Sequence, residues 1–334
     1  MYDAREIGLQ WEGSLQTLSK VTSAKCAFST VGGRLKEHTG QERCRLIVED
    51  TIADNTLGKL AWAKRDAVDH LVKRPVSQYN AKQEAVIQWL AHKILSQYDL
   101  GIHCPPILDV FTMPTGIWFS MTPIYNAPIL DTYITTVPTW LTPHPDNGIL
   151  LLKLLCQIAM CCHVLEREIG FNHRDLKPDN IMVKTDVVQT HNVKYKGTEI
   201  TVAPSPTAIM VDFGFSCLGP GSAPWIQSGG DVLSPFDSCP RVGRDIFMLL
   251  VFLLWRPDVR KSLTSSHLEF FKSSLRLSTD RLSQMMNLNR DPTHWIYMLV
   301  TERGFNCPAL DPLIWLHSCA SRFPEVVSIR SSSS

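Results

Sequence analysis

His173-Arg174-Asp175-Leu176-Lys177-Pro178-Asp179-Asn180 is the stretch that decides how the rest of the chain is read. It fills every fixed position of the pattern H-R-D-L-x-x-x-N. Five specified residues, each used at a frequency of about 5%, coincide by chance roughly once in a few million starting points. A chain of 334 residues offers only a few hundred such points, so coincidence is a poor explanation. Asp212-Phe213-Gly214 follows about thirty residues later, in the order the longer pattern requires. A lone three-residue match is weak evidence. Downstream of a complete longer match it is strong.

These residues and their order resemble the eukaryotic-type protein kinase family, and the resemblance covers most of the chain. It implies an α+β, bilobal protein kinase-like fold, with a small β-rich N-lobe and a larger helical C-lobe. The expected boundaries are an N-terminal extension over 1–15, the N-lobe over 16–124 and the C-lobe over 125–322. An insert near 184–208 and a disordered, serine-rich tail over 323–334 complete the division. Such insertions are similar to those of divergent kinases of large DNA viruses.

The resemblance implies that Asp175 orients an acceptor hydroxyl and receives its proton. Assistance of that kind is typically worth ~10²–10⁴ in rate. Lys177 stands where kinases of the serine/threonine class carry a lysine beside the transferring phosphate. Asn180 and Asp212 offer hard oxygen ligands suited to Mg²⁺ bridging the phosphates of ATP. His173 and Phe213 read as packing residues, and Asp245 as an acceptor for backbone N–H groups of the catalytic loop.

The N-lobe is less legible. Ala24 to Val31 is a degenerate match to the phosphate loop G-x-G-x-x-G-x-V, with Ala24, Cys26 and Ser29 at the glycine positions and Val31 in place. Residues 32–59 read as a long, polar, turn-rich connection. Leu60-Ala61-Trp62-Ala63-Lys64 resembles the V-A-I-K strand, which makes Lys64 the expected phosphate-holding lysine. Glu84, near the start of a helical pattern with Val86, Leu90 and Ile94, is its expected partner. Gln88, one turn later, departs from the apolar residue usual in the family. Met121 is expected at the back of an adenine pocket, with Thr122 to Ile124 as the hinge. Pro123 removes one N–H there.

Val193 to Val202 reads as an inserted hairpin turning near Lys196-Gly197. Cys217 to Cys239 is the activation segment by position. It lacks A-P-E, for which Ser234-Pro235-Phe236 is the nearest stand-in. Arg174 could bind a phosphate on Ser216, Ser222, Ser228 or Ser234, but the short segment favours an unregulated, already ordered loop. The implied activity is transfer of the ATP γ-phosphate to a Ser/Thr hydroxyl of a protein. The glycine-poor phosphate loop and the missing A-P-E keep a pseudokinase-like nucleotide-binding scaffold open as an alternative. A small-molecule phosphotransferase of related fold also stays open.

Composition narrows the setting. Hydrophobic residues make up 44% of the chain, enough for a substantial core, and the formal net charge is +1. Neither nucleic acid nor a membrane is an expected partner. The ten cysteines form no regular disulfide framework or paired zinc spacing. Reduced thiols in an intracellular protein, cytoplasmic or nuclear (in a host cell if viral), are expected. Cys161-Cys162-His163 lies in an apolar run and reads as buried helix. The run Gly148–Leu165 is interrupted by Lys153, Gln157 and His163 and reads as a core helix too.

Overall fold

The computed structural model describes residues 27–31, 34–38, 47–55, 58–65, 68–75, 81–113, 116–136, 138–219, 226–227, 240–301 and 311–331. Within them the chain is α+β and has two lobes. A sheet-rich N-terminal region is followed by a helical C-terminal one. The upper sheet has five strands in the order β3-β4-β5-β7-β6. They are β3 (Ile47–Asn55), β4 (Gly58–Arg65), β5 (Val68–Pro75), β6 (Ile107–Met113) and β7 (Gly116–Met121). Helix α1 (Ala81–Ser96) lies between β5 and β6 in sequence. Its face of Val86, Ile87, Leu90 and Ile94 is buried, as its spacing predicts.

This layout corrects two N-lobe expectations. Residues 32–59 are not merely a connection, because they contain β3 and the short strand β2 (Arg34–His38). Within the stretch expected to form the phosphate loop, β1 (Ala27–Val31) pairs with β2, Ser29 opposite Lys36 and Val31 opposite Arg34. That pair, however, is a separate two-stranded sheet. Ala24 and Cys26 lie outside the described residues.

The lower lobe is built around α3 (Pro145–Ile169). The His144 side chain caps its start by accepting from Asp146 N at 3.2 Å. Gly170 ends it at φ +58, donating to Leu165 O. A side chain there would be strained, and a Cβ would come within 2.1 Å of Gly219 O. Among the described residues α3 is the one helix long and apolar enough to cross a membrane, but 83% of its most apolar window is buried inside the protein. Its buried Gln157 is fully bonded. Gln157 accepts from Ala208 N at 2.8 Å and donates to Ser205 Oγ and Pro206 O, both at 2.9 Å. It thus ties α3 to the strand that carries Ser205, Pro206 and Ala208. Cys161 and Cys162 are buried and free, and no group of three or more potential metal-ligating side chains occurs among the described residues. Reduced thiols hold for Cys104, Cys156, Cys161, Cys162 and Cys319. Cys217 departs from that expectation and stands in a disulfide.

Helix α4 (Arg244–Trp255) is buried along nearly its whole length against α3 and the helices that follow. After the catalytic stretch, β8 (Ile181–Tyr195) and β9 (Thr198–Met210) form a long antiparallel hairpin. It turns at Lys196 and Gly197, both with positive φ. The serine-rich end corrects another expectation. Val327–Ser331 is not disordered but forms a strand, β12, which pairs antiparallel with β9, Val327 opposite Val202. Val326 and Val327 are buried, and Val326 O accepts from Ala203 N at 2.8 Å. Two buried valines and a row of backbone hydrogen bonds outweigh the polarity of the serines beside them.

Removing residues 324–334 is expected to lower stability by roughly 2–4 kcal/mol, since it uncovers Ile200 and Val202 on β9. Urea unfolding of the shortened chain would check this. A disordered tail could be removed without effect.

Candidate active site

The stretch His173–Asn180 is fixed from below by Asp245, in the first turn of α4. Its fully buried carboxylate accepts from His173 N at 2.7 Å and Arg174 N at 2.9 Å. This is the role expected from the sequence. Arg174 is held at φ +68, a conformation that non-glycine residues seldom adopt. The strain persists because the loop is pinned on both sides. The His173 ring bonds Val211 O at 3.0 Å, and Phe213 packs against His173 and Phe171, with ring centroids at 5.1 and 5.9 Å. The two motifs are thereby locked side by side, and Val211 N donates to Asn180 O at 3.0 Å.

On this base the chemistry-bearing side chains gather. Asn180 Nδ2 donates to Asp175 O at 2.8 Å and to Asp175 Oδ2 at 2.9 Å. With its nitrogen so engaged, the Asn180 oxygen is the atom left to take a cation. Lys177 Nζ lies 3.0 Å from Asp175 Oδ2. Burial alone would lower the Lys177 pKa, and the Asp175 carboxylate more than reverses this, so the ammonium is held charged.

The upper lobe supplies a lysine, but not the expected one. Lys73, on β5, donates to Glu84 Oε1 at 2.6 Å and to Asp212 Oδ1 at 2.8 Å. Lys64 is exposed and lies 3.9 Å from Asp69 Oδ1. The reason is topological. The strand that feeds α1 is β5, and only a lysine near its end can reach a glutamate in the first turns of that helix. Lys64 lies on the same face, opposite Asp69. Four residues of strand, roughly 13 Å, separate that position from Lys73. The sequence signal that finds Lys73 is Leu71-Val72-Lys73, directly ahead of the helix. The small buried pair Ala61 and Ala63 made the preceding strand the closer match to V-A-I-K.

The same shift changes which stretch fits the phosphate-loop spacing. The two strands ahead of β5 are β3 and β4, with Asn55 opposite Gly58. The spacing G-x-G-x-x-G-x-V then falls on Ala53 to Leu60. Gly58 keeps the last glycine, and Leu60 takes the place of valine.

The electrostatics of the lysine site are tightly coupled. Burial would lower the Lys73 pKa, but the charges of Glu84 and then Asp212 raise it overall. Burial pushes the Glu84 carboxyl up, opposed by Lys73. The Lys73 ammonium holds Asp212 down to about 2 against the cost of burial. Asp212 has φ +62, and its Oδ1 also accepts from Gly214 N at 3.3 Å.

Met121 ends β7, largely buried, in the row Leu71–Met121 across the sheet. The polar Gln88 behind it is buried yet satisfied. Its Nε2 donates to Pro105 O at 2.9 Å and lies 3.7 Å from Met121 Sδ. In the following segment Thr122 N donates to Pro106 O at 3.1 Å and Pro123 has no N–H, so Ile124 carries the segment's remaining backbone donor. Most of the expected activation segment, including Ser222, Ser228 and Ser234, lies outside the described residues. Ser216 is buried and its Oγ donates to His173 O at 3.2 Å.

No family model matches the chain. No curated protein matches it. Among solved structures it is similar to one described as vaccinia related kinase 3, at 12% identity and a TM-score of 0.46, over 92% of this chain and 94% of that one. A second, described as a kinase domain, is 15% identical with a TM-score of 0.41, over 81% of this chain and 93% of that one. Neither score reaches 0.5, and the two-lobed class rests on the chain's own sheet order and cleft.

Two outcomes are expected. Asp245→Ala leaves two buried N–H groups unmet and should cost about 3–5 kcal/mol in urea unfolding. Asp212, with a folded pKa near 2 against an ordinary 3.8, adds stability above that ordinary value and loses it as pH falls toward 2. The difference in melting temperature between wild type and Asp212→Asn should therefore shrink between about pH 4 and pH 2.

Proposed function

We propose that the cleft holds ATP with Mg²⁺ and transfers the γ-phosphoryl group to a serine or threonine hydroxyl of a protein. The observation that carries this reading is the meeting of Lys73 with Glu84 at 2.6 Å and with Asp212 at 2.8 Å, the last from a segment 139 residues further along the chain. A lysine kept charged between two carboxylates, one of them half-exposed to the cleft, suits the cradling of a polyphosphate. Asp212 and the oxygen of Asn180 would hold the metal, a hard-oxygen set that fits Mg²⁺. When bound, the metal neutralises phosphate charge. Asp175 orients the acceptor hydroxyl and takes its proton, with Asn180 Nδ2 and Lys177 fixing the carboxylate from two sides. Lys177 is also placed to meet the transferring group. Glu84 sets the position of Lys73, and Met121 backs the purine site, whose edge the Ile124 N–H would meet. The paired strands β3 and β4, in place of the 24–31 stretch, would cover the phosphates.

Transfer of labelled γ-phosphate to a generic basic protein tests the reading. Lys73→Met and Asp175→Asn should each lower transfer at least about a hundredfold. Lys64→Met should retain transfer within about twofold, as exposed pairs contribute little. Nucleotide binding without transfer by wild type would favour the scaffold alternative.

A further inference from the structure

One group of side chains between the upper sheet and the hinge segment has no part in the chemistry above. Trp62 on β4 stands opposite Leu71 on β5, which stands opposite Met121 on β7. Opposed residues share a face of the sheet, so Trp62 ends the row whose inner member, Met121, backs the cleft. Four residues past Met121, the Tyr125 ring stacks on Trp62, with centroids 5.6 Å apart and planes 13° from parallel. The Tyr125 hydroxyl donates to Asp69 Oδ2 at 2.5 Å. Asp69 lies on β5, two residues before Leu71. One residue of the hinge segment therefore grips both β4 and β5. That hydrogen bond, above all, pushes the Tyr125 pKa up to about 12, so the phenol stays a donor.

We propose that Trp62, Tyr125 and Asp69 form a clasp that fixes the segment 122–126 against the upper sheet and so sets nucleotide affinity rather than the rate of transfer. The inference rests on the kinase reading of the cleft. Its logic is mechanical. The segment is anchored at one end by the Thr122 N–H on Pro106 O. Tyr125 anchors the other end, and the Ile124 N–H lies between the two. Releasing Tyr125 frees the donor meant for the purine edge. Lys73 lies four residues beyond Asp69 on β5, roughly 13 Å away, so its contacts with Glu84 and Asp212 stay intact. These are positioning residues, since none of them touches the reacting atoms. Lys64 adds to Asp69 only an exposed ion pair at 3.9 Å, a minor contribution.

The test uses the full chain with Tyr125→Ala, Tyr125→Phe and Trp62→Phe. Backbone hydrogen exchange over 122–126 is measured without nucleotide, then KM for ATP and kcat separately. Tyr125→Ala, losing stack and hydrogen bond, should exchange faster there and raise KM about threefold to tenfold, with kcat changed less than about twofold. Tyr125→Phe keeps the stack and should fall between. Trp62→Phe, which restores an aromatic partner, should lie near wild type. Wild-type exchange and KM in Tyr125→Ala would overturn the clasp, as would a fall in kcat at constant KM. Should wild type bind no nucleotide, the kinase reading itself fails, and the exchange rates alone decide whether the clasp exists.

Discussion

The ammonium of Lys73 is the point on which the two lobes depend. It comes from the upper sheet, its first partner from α1 and its second from the loop after β9. Three elements that share no backbone hydrogen bonds at this point are held by one charge. Burial disfavours the ammonium, and the charges of Glu84 and Asp212 together more than offset it. Glu84 is almost wholly buried, whereas Asp212 keeps half its side chain exposed. The site is therefore closed on the side of Glu84 and open on the side of Asp212.

Beneath it, order passes through acceptors rather than charges. Asp245 satisfies two consecutive N–H groups of the catalytic stretch. His173 and Phe213 join that stretch to the second motif. Arg174 and Asp212, both at positive φ, show where the backbone gives up local comfort to bring these groups together. Such strain is tolerable because α3 and α4, buried along most of their length, form a frame too well packed to yield.

The lower lobe was legible in the sequence because its functional residues sit in short contiguous runs. His173 to Asn180, Asp212 to Gly214 and Arg244-Asp245 carry their own spacing, and spacing survives divergence. The upper lobe was less legible because there a role follows from which strand pairs with which. Lys64 and Lys73 both close an apolar strand, and only pairing to β7 and entry into α1 tells them apart. The first glycine of the phosphate-loop spacing is Ala53 and the second Asn55, so Gly58 alone gave little to find. Gln88 departs from the apolar residue usual there, and its partner, the Pro105 carbonyl, is set by the fold and not by local sequence. The β12 strand was hidden by composition, since serines flank the valines that are buried.

The pairing of β12 with β9 joins segments more than a hundred residues apart, whereas β8 and β9 meet across a two-residue turn. Local contacts form early and distant ones late, because closing a long stretch of polymer is entropically expensive. The hairpin should thus exist for a time with one flank of β9 uncovered. A bare flank of that kind can recruit a stranger's strand as readily as its own. The final strand, then, ends that exposure when it docks, besides contributing to the finished lobe.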